Sequence, residues 1–425
     1  MTEPGVHSKA VESKRIVLAT IGSLGDLHPM LALALELKRR GHRVTVASTA
    51  YYREKALGLG IDFQALRPNW DPTDQELIAQ CADLKSGPEV LFRRLILPHL
   101  RATYDDLVAA AAGADLMLAG ELVYAAPLVA EKLGLRWASV ILSPTSFFSA
   151  HDPSLLVNIP NVYRLRRSGW MINRAILEFG KLVSRHWWKP VRQLRRELGL
   201  RVHCDPVFTD KFSPELVLAL FSPSLAQAQP DWPKQTLQPG FVYFDRGGIE
   251  DYPGLEDFLA AGDAPIVFTL GSTAVHNPGN FYEVSMAAAR QLGRRAVLLG
   301  AKQETLVGWA EVLTLPYAPY SRIFPHAAAI VHQGGSGTTG QALRSGRPQL
   351  IVPYGWDQPD NGARLERLGV GLCLARSAYS AESVTAVLSR LLTEPSFAAR
   401  AAEAGTRVQC EDALSLACDA IEAAI

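Results

Sequence analysis

VLTLPYAPYSRIFPHAAAIVHQGGSGTTGQALRSGRPQLIVPYGWDQPDN, residues 312 to 361, decides how the rest of the chain is read. The apolar run from Ala327 to Val331 has the length and composition of a short buried parallel strand. It ends at His332 and turns through Gly334, Gly335, Ser336 and Gly337 into Thr338–Ser345, which reads as a helix. Gly346 stops that helix, and Gln349–Pro353 makes the next strand. Strand, glycine turn, helix, strand is half of a doubly wound nucleotide-binding unit, whose ligand sits beyond the strand ends. Free backbone N–H groups at the helix start, around Gly335 to Thr338, and the positive end of the helix dipole favour an anion there. Glycines let a phosphate come close to the backbone. Tight turns of this kind also arise for packing alone, so the flanks carry the next step.

Tyr317-Ala318-Pro319 precedes His332 by fifteen residues, and Trp356-Asp357-Gln358-Pro359-Asp360-Asn361 follows. Together these pieces resemble the donor-binding signature of family 1 glycosyltransferases: aromatic-Ala-Pro, then His-x-Gly, then Asp-Gln-x-x-Asn. The resemblance implies an α/β chain of the GT-B type, two Rossmann-like domains facing across a cleft. It implies inverting transfer of a hexose, glucose or rhamnose, from a UDP- or dTDP-sugar to a hydroxyl of a hydrophobic small molecule. By the same resemblance Tyr317 stacks on the base, with Ala318 beside it. His332 donates to the diphosphate, with Gly334, Gly335, Ser336, Gly337 and Thr338, and Trp356, Asp357 and Gln358 hold the sugar. Where plant members carry a ribose-gripping Glu, eight residues after the motif His, this chain has Gly340.

The first half repeats the pattern. Arg15–Ile21 reads as a strand, Gly22-Ser23-Leu24-Gly25-Asp26 as a turn, Pro29–Arg40 as an amphipathic helix and Val44–Ala47 as the second strand. Asp26, at the start of that helix, is either a cap for its amides or a general base at the cleft floor. Plant members have the catalytic His at this position. The version with Asp resembles sterol glucosyltransferases, macrolide and glycopeptide glycosyltransferases and the rhamnosyltransferases of rhamnolipid synthesis, and there the resemblance makes Asp26 the base. His28, Gly25, Ser146 and Phe147 are the candidates for the acceptor wall. Leu84–His99 is the clearest amphipathic stretch between these motifs, and residues 150–200, rich in Arg and Trp, read as helices covering the sheet or walling the acceptor.

At 425 residues the chain exceeds one ordinary core. The expected division is 1–235, binding acceptor, and 240–404, binding donor, across the proline-rich Pro230–Gly240, with helix 405–425 returning to the first domain. The second domain opens with the strand Pro265–Leu270 and Gly271-Ser272-Thr273, where the family's Gly-Ser reaches a donor phosphate. A net charge of +1 gives no electrostatic reason to expect nucleic acid. Five cysteines, at 81, 204, 373, 410 and 418, form no C-x-x-C pair and suit reduced thiols in the cytoplasm. The first residues lack the apolar core of a signal peptide, and no run of ~18 apolar residues suggests a membrane span, though peripheral membrane contact is compatible with the composition. The absence of Asp-x-Asp points away from a metal-held diphosphate. No cofactor is implied, the nucleotide sugar being a co-substrate. A nucleotide-sugar epimerase on the same frame, or a non-catalytic sugar-nucleotide-binding subunit, are the alternatives.

Overall fold

The computed structural model describes residues 12–83, 86–155, 168–202, 205–245, 252, 254–301, 309 and 311–425. The apolar runs fall into two all-parallel sheets. In the first, β1 (Arg15–Ala19), β2 (Arg43–Ser48), β3 (Asp62–Ala65), β4 (Leu116–Gly120), β5 (Trp137–Ile141), β6 (Leu216–Ala219) and β7 (Thr236–Leu237) lie in the order β3-β2-β1-β4-β5-β6-β7. In the second, β8 (Ile266–Thr269), β9 (Ala296–Leu299), β10 (Val312–Leu315), β11 (Ala329–His332), β12 (Gln349–Ile351) and β13 (Gly371–Cys373) run β10-β9-β8-β11-β12-β13. The two halves share one wiring. Helices cover both faces of each sheet, so the central strands read as unbroken apolar runs and not as alternation. Ile16 to Ala19 and Ile266 to Phe268 are all fully or almost fully buried.

Strand order reverses between β1 and β4 in one sheet and between β8 and β11 in the other. These are the two points where such folds bind ligands. The turns that follow β1, β8 and β11 are the three glycine turns singled out in the sequence.

Several boundaries differ from the sequence expectation, each for a local reason. The first helix runs Leu24–Arg39, starting well before Pro29. Ser23 and Asp26 close a capping box around its first turn, so the helix nucleates there and accommodates Pro29 in its second turn. The second glycine turn likewise passes into helix at Ser336, and His332 belongs to β11. The stretch expected as one helix up to His99 is broken into an α turn at Gly87–Glu89, a wide π-type stretch Val90–Ile96 and a 3₁₀ turn Leu97–His99 that carries Pro98. Leu84 and Cys204 lie outside the described residues. Thr236–Leu237, inside the expected linker, adds the edge strand β7 to the first sheet, which moves the end of that half past residue 235.

Apolar packing and buried charge both cross between the halves. Ile141, Phe221 and Trp232 of the first share a core with Leu343, Ile351, Leu365 and Val408 of the second. Asp360, wholly buried on the helix Gln358–Leu368, accepts from the Leu155 amide at 2.7 Å, the Thr145 hydroxyl at 3.3 Å and Arg364 Nε at 2.7 Å. Arg364 in turn pairs with Asp152 of the first half. The chain then returns. Pro395–Gln409 packs on the second domain's Ser336–Ser345 helix, and Ala413–Ala423 packs on the first sheet through Ala417, Cys418 and Ile421. Arg40 clamps that last helix through Asp419 at 2.5 Å and Glu422 at 2.8 Å.

Arg364→Ala leaves Asp360 buried with its main cation removed. Loss of one partner of a buried pair costs about 3–5 kcal/mol. Urea unfolding of the variant is expected to show an unfolding free energy lower by that amount, whereas removal of the exposed Arg407–Glu403 pair leaves it within about 0.5 kcal/mol of the parent.

Candidate active site

Asp26 is the third residue of its helix. Its Oδ2 accepts from the Ser23 amide at 2.8 Å and the Ser23 hydroxyl at 3.3 Å, while Ser23 Oγ accepts from Gly25 N–H at 3.1 Å. The carboxylate folds back over Gly22, whose φ is +147°. A Cβ on Gly22 would stand 2.2 Å from Asp26 Oδ2, so only glycine fits beneath it. Asp26 is therefore the cap that local sequence suggests. It is also strongly perturbed. Burial lifts its pKa to about 7, and the charges of Glu121 and Asp357 add to this against the hydrogen bonds from Ser23. Asp357 belongs to the second domain, so the two halves meet at this carboxylate. Glu121, which the sequence reading passed over, follows directly on β4 at the first strand-order reversal and stands 3.7 Å from the buried Lys211 amine. Its position after an all-apolar strand was the available signal.

Across the cleft, the Ser336–Ser345 helix begins at Gly335 with no side-chain cap. Its first amides are thus left for a ligand, in the geometry that suits an anion. Gly271 (φ +65°) faces it from the turn after β8, and Ser272 and Thr273 extend that turn. Between them lies Gln333. Its Nε2 is 3.4 Å from Thr338 Oγ1, a Cβ on Gly271 would stand 2.2 Å from it, and its Oε1 is buried without a partner among the described residues. Gln333 was not singled out by sequence, being next to the conspicuous histidine.

His332 corrects the sequence expectation. It is fully buried, its Nδ1 accepts from Gly334 N–H at 3.0 Å, and Nε2, which therefore carries the proton, donates to Gln349 Oε1 at 3.0 Å. Burial pushes its pKa down to about 4, so it is neutral. With both nitrogens occupied inside the domain it has no proton to offer a diphosphate. Alternation along a strand is the reason: His332 points to β12, and Gln333 points to the cradle. What His332 does is hold the Gly334 amide and so shape the turn. Gly334 (φ +91°) has no room for a Cβ, which would lie 2.8 Å from Ile351 Cγ2.

The residues of the Trp356–Asn361 loop form one network. Asp357 Oδ2 accepts from Ser336 Oγ and from Asn361 Nδ2, both at 2.8 Å, and burial raises its pKa. Asn361 also donates to the Gly334 carbonyl at 2.9 Å. Gln358 Oε1 accepts from the Tyr354 and Gly355 amides at 2.7 and 3.1 Å, which leaves its NH₂ group for a ligand. Trp356 sits at φ +61° with a partly exposed ring, a strained placement for a bulky residue and one often found at binding sites. Tyr317 is exposed, with its ring 6.4 Å from that of Tyr252. Ala318 is core, packed with Ile323 and Phe324, so its methyl does not face a ligand.

The acceptor candidates divide. Phe147 is sandwiched between Phe212 and Trp232 at 5.4 and 3.9 Å, so it is a core aromatic and not a wall. His28 lies about 200° around its helix from Asp26 and stacks on Phe244 at 4.9 Å, with burial lowering its pKa to about 3. Gly25 is exposed beside Asp26, and Ser146 is part-exposed in the turn Pro144–Phe147. Gly340, where plant members carry the ribose Glu, lies under the Phe241 ring, and a Cβ there would stand 2.8 Å from Phe241 Cδ1.

Two doubly wound domains thus set a bare helix start at one strand-order reversal and a carboxylate of raised pKa at the other. Residues 16–145 match the glycosyltransferase family 28 N-terminal domain, and residues 299–414 match the C-terminal domain of erythromycin biosynthesis protein CIII-like proteins. The chain belongs to the GT-B glycosyltransferases of the family 1 type. It is 34% identical over 436 residues to O-mycaminosyltylonolide 6-deoxyallosyltransferase of Streptomyces fradiae, covering 96% of this chain and 97% of that one. The glycotransferase of kitacinnamycin superposes with a TM-score of 0.74 at 21% identity, over 97% of this chain and 99% of the other. Spinosyn rhamnosyltransferase SpnG, solved with thymidine diphosphate, gives 0.67 at 19% identity, over 96% and 100%. No helix among the described residues is long and apolar enough to cross a membrane.

Two outcomes are expected from this geometry. Gly340→Ala forces a methyl into the Phe241 ring and should destabilise the fold by about 1–3 kcal/mol in thermal unfolding. For Asp26 the sign follows from its pKa. The folded value near 7 exceeds the unfolded value of 3.8, so stability is lost as pH rises from 4 through 7. Asp26→Asn should therefore raise the Tm at pH 8 and hardly change it at pH 4, and a uniform drop at both would mark a purely capping role.

Proposed function

We propose that the protein is an inverting glycosyltransferase that moves a 6-deoxyhexose or hexose from a dTDP- or UDP-sugar to a hydroxyl of a hydrophobic, macrolide-like acceptor. The observation that carries this reading is Asp26, a carboxylate with a pKa of about 7 at the cleft floor, opposite a helix start suited to a diphosphate. Asp26 takes the proton of the acceptor hydroxyl, the oxygen attacks the anomeric carbon, and the bond to the diphosphate oxygen breaks on the far side, inverting the centre. The amides of Ser336, Gly337 and Thr338, with the Ser272 hydroxyl, meet the charge that grows on the leaving group, usually the largest catalytic contribution. Asp357 and the Gln358 amide take sugar hydroxyls, and Tyr317 stacks on the base. His332 acts through the Gly334 amide and is a positioning residue. The thymidine donor and deoxy sugar are favoured by the name of the Streptomyces fradiae relative and by the nucleotide held by SpnG.

Asp26→Asn should lower kcat by about 10²–10⁴-fold. The parent's kcat/KM should fall as the pH drops below about 7, because protonated Asp26 accepts nothing. Mass analysis of a donor panel (dTDP-rhamnose, dTDP-glucose, UDP-glucose) against macrolide aglycones and sterols identifies the pair used, and NMR of the product's anomeric proton tests inversion. Transfer should survive excess EDTA, since a helix start can hold the diphosphate; complete loss restored by Mg²⁺ or Mn²⁺ would overturn that part. Near-parent turnover by Asp26→Asn would overturn the base.

A further inference from the structure

The helix Trp170–Ser184 is built inside out. Its one fully buried side chain is a polar one, Asn173, which donates to the Ala150 carbonyl at 3.0 Å. Met171, Ile172, Phe179, Leu182 and Val183 are instead 48–69% exposed. At 3.6 residues per turn these five fall within an arc of about 120°, with Ala175 inside it. With Trp170, half-exposed at the helix start, they make six of the thirteen large exposed apolar side chains among the described residues. Beside this strip, on the adjoining arc, stand Arg174, Lys181 and, one turn on, Arg185, with Glu178 paired to Lys181 at 3.0 Å. Lys189 and Arg196 of the next helix, Lys189–Glu197, are also exposed. Between Arg164 and Val202 the sequence has eleven Arg and Lys against two Glu, in a chain where 43 basic residues otherwise nearly balance 42 acidic ones. The rest of the sequence is therefore net acidic, and among the described residues Arg174, Lys181 and Arg185 put positive charge beside the exposed apolar strip.

We propose that this helix docks the protein on the surface of a bilayer containing anionic lipid, lying in the interface with Met171, Ile172, Phe179, Leu182 and Val183 among the acyl chains and the Arg and Lys side chains at the headgroups. An exposed apolar face with a cationic flank is what such binding needs. Charge selects this occupant over a second copy of the chain. A symmetric dimer through the strip would bring two strongly cationic rims together. The inference is independent of the sugar-transfer reading.

Flotation of the full-length protein with vesicles tests it. The protein should float with phosphatidylcholine vesicles that contain phosphatidylglycerol and remain in solution with phosphatidylcholine alone, and the binding should weaken as salt rises. Phe179→Glu with Leu182→Glu should lower partitioning by at least about ten-fold, since each removes a fully insertable apolar group. Arg174→Glu with Arg185→Glu should weaken binding to the anionic vesicles. All four positions are on the surface, so an unchanged Tm separates these effects from misfolding. Absence of flotation with anionic vesicles overturns the proposal, as does flotation unaffected by the apolar pair. A dimer in sedimentation that the apolar pair converts to monomer, without vesicle binding, overturns it in favour of self-association.

Discussion

The contact on which the arrangement depends is the buried ion network of Asp360, Arg364 and Asp152. Asp360 is two residues past Gln358 and three past Asp357, so the helix Gln358–Leu368 is tied at its first turn to residues 145–155 of the opposite domain. Ions taken out of water are costly unless every lone pair is met, and here the Asp360 oxygens receive a backbone amide, a hydroxyl and a guanidinium. The geometry is thus directional as well as strong. It fixes where Asp357 stands relative to Asp26.

Closing two domains this way also sets the electrostatics of the cleft. Asp26 and Asp357 come from different sheets, yet each carries a raised pKa, and burial is the main cause for both. Glu121 adds its charge to each. A lone carboxylate at a helix start would be stabilised by the dipole and would ionise readily. Enclosed between domains and beside two other carboxylates, the same group holds its proton up to neutral pH. The helix cap and the proton-holding carboxyl are one residue, Asp26.

At the glycine turns of both domains the constraints are steric. Gly22, Gly271 and Gly334 each occupy a positive φ with a neighbouring atom where a Cβ would stand, and two of those neighbours are the side chains of Asp26 and Gln333. The backbone comes close to these neighbours because the residues lack a side chain. The exposed face of Trp170–Ser184 follows the opposite logic, with its largest apolar side chains in water while the polar Asn173 packs into the protein.

Sequence by itself determined the two doubly wound halves, because strand, glycine turn and helix are set by local periodicity and by backbone conformations only glycine adopts easily. It also located both turns and named Asp26, whose capping partner is three residues away. Which way a side chain points from a strand end was legible only in three dimensions. His332 and Gln333 are adjacent letters, but alternation sends one into the domain and the other into the cradle, and the hydrogen bonds that decide it come from Gln349 and Thr338. Phe147 reads as a loop aromatic until Phe212 and Trp232 cover both faces of its ring. The pKa of Asp26 likewise depends on Glu121 and Asp357, roughly a hundred and three hundred residues along the chain, and on the water that domain closure removes. Desolvation and charge act through space, so only the tertiary structure could decide them.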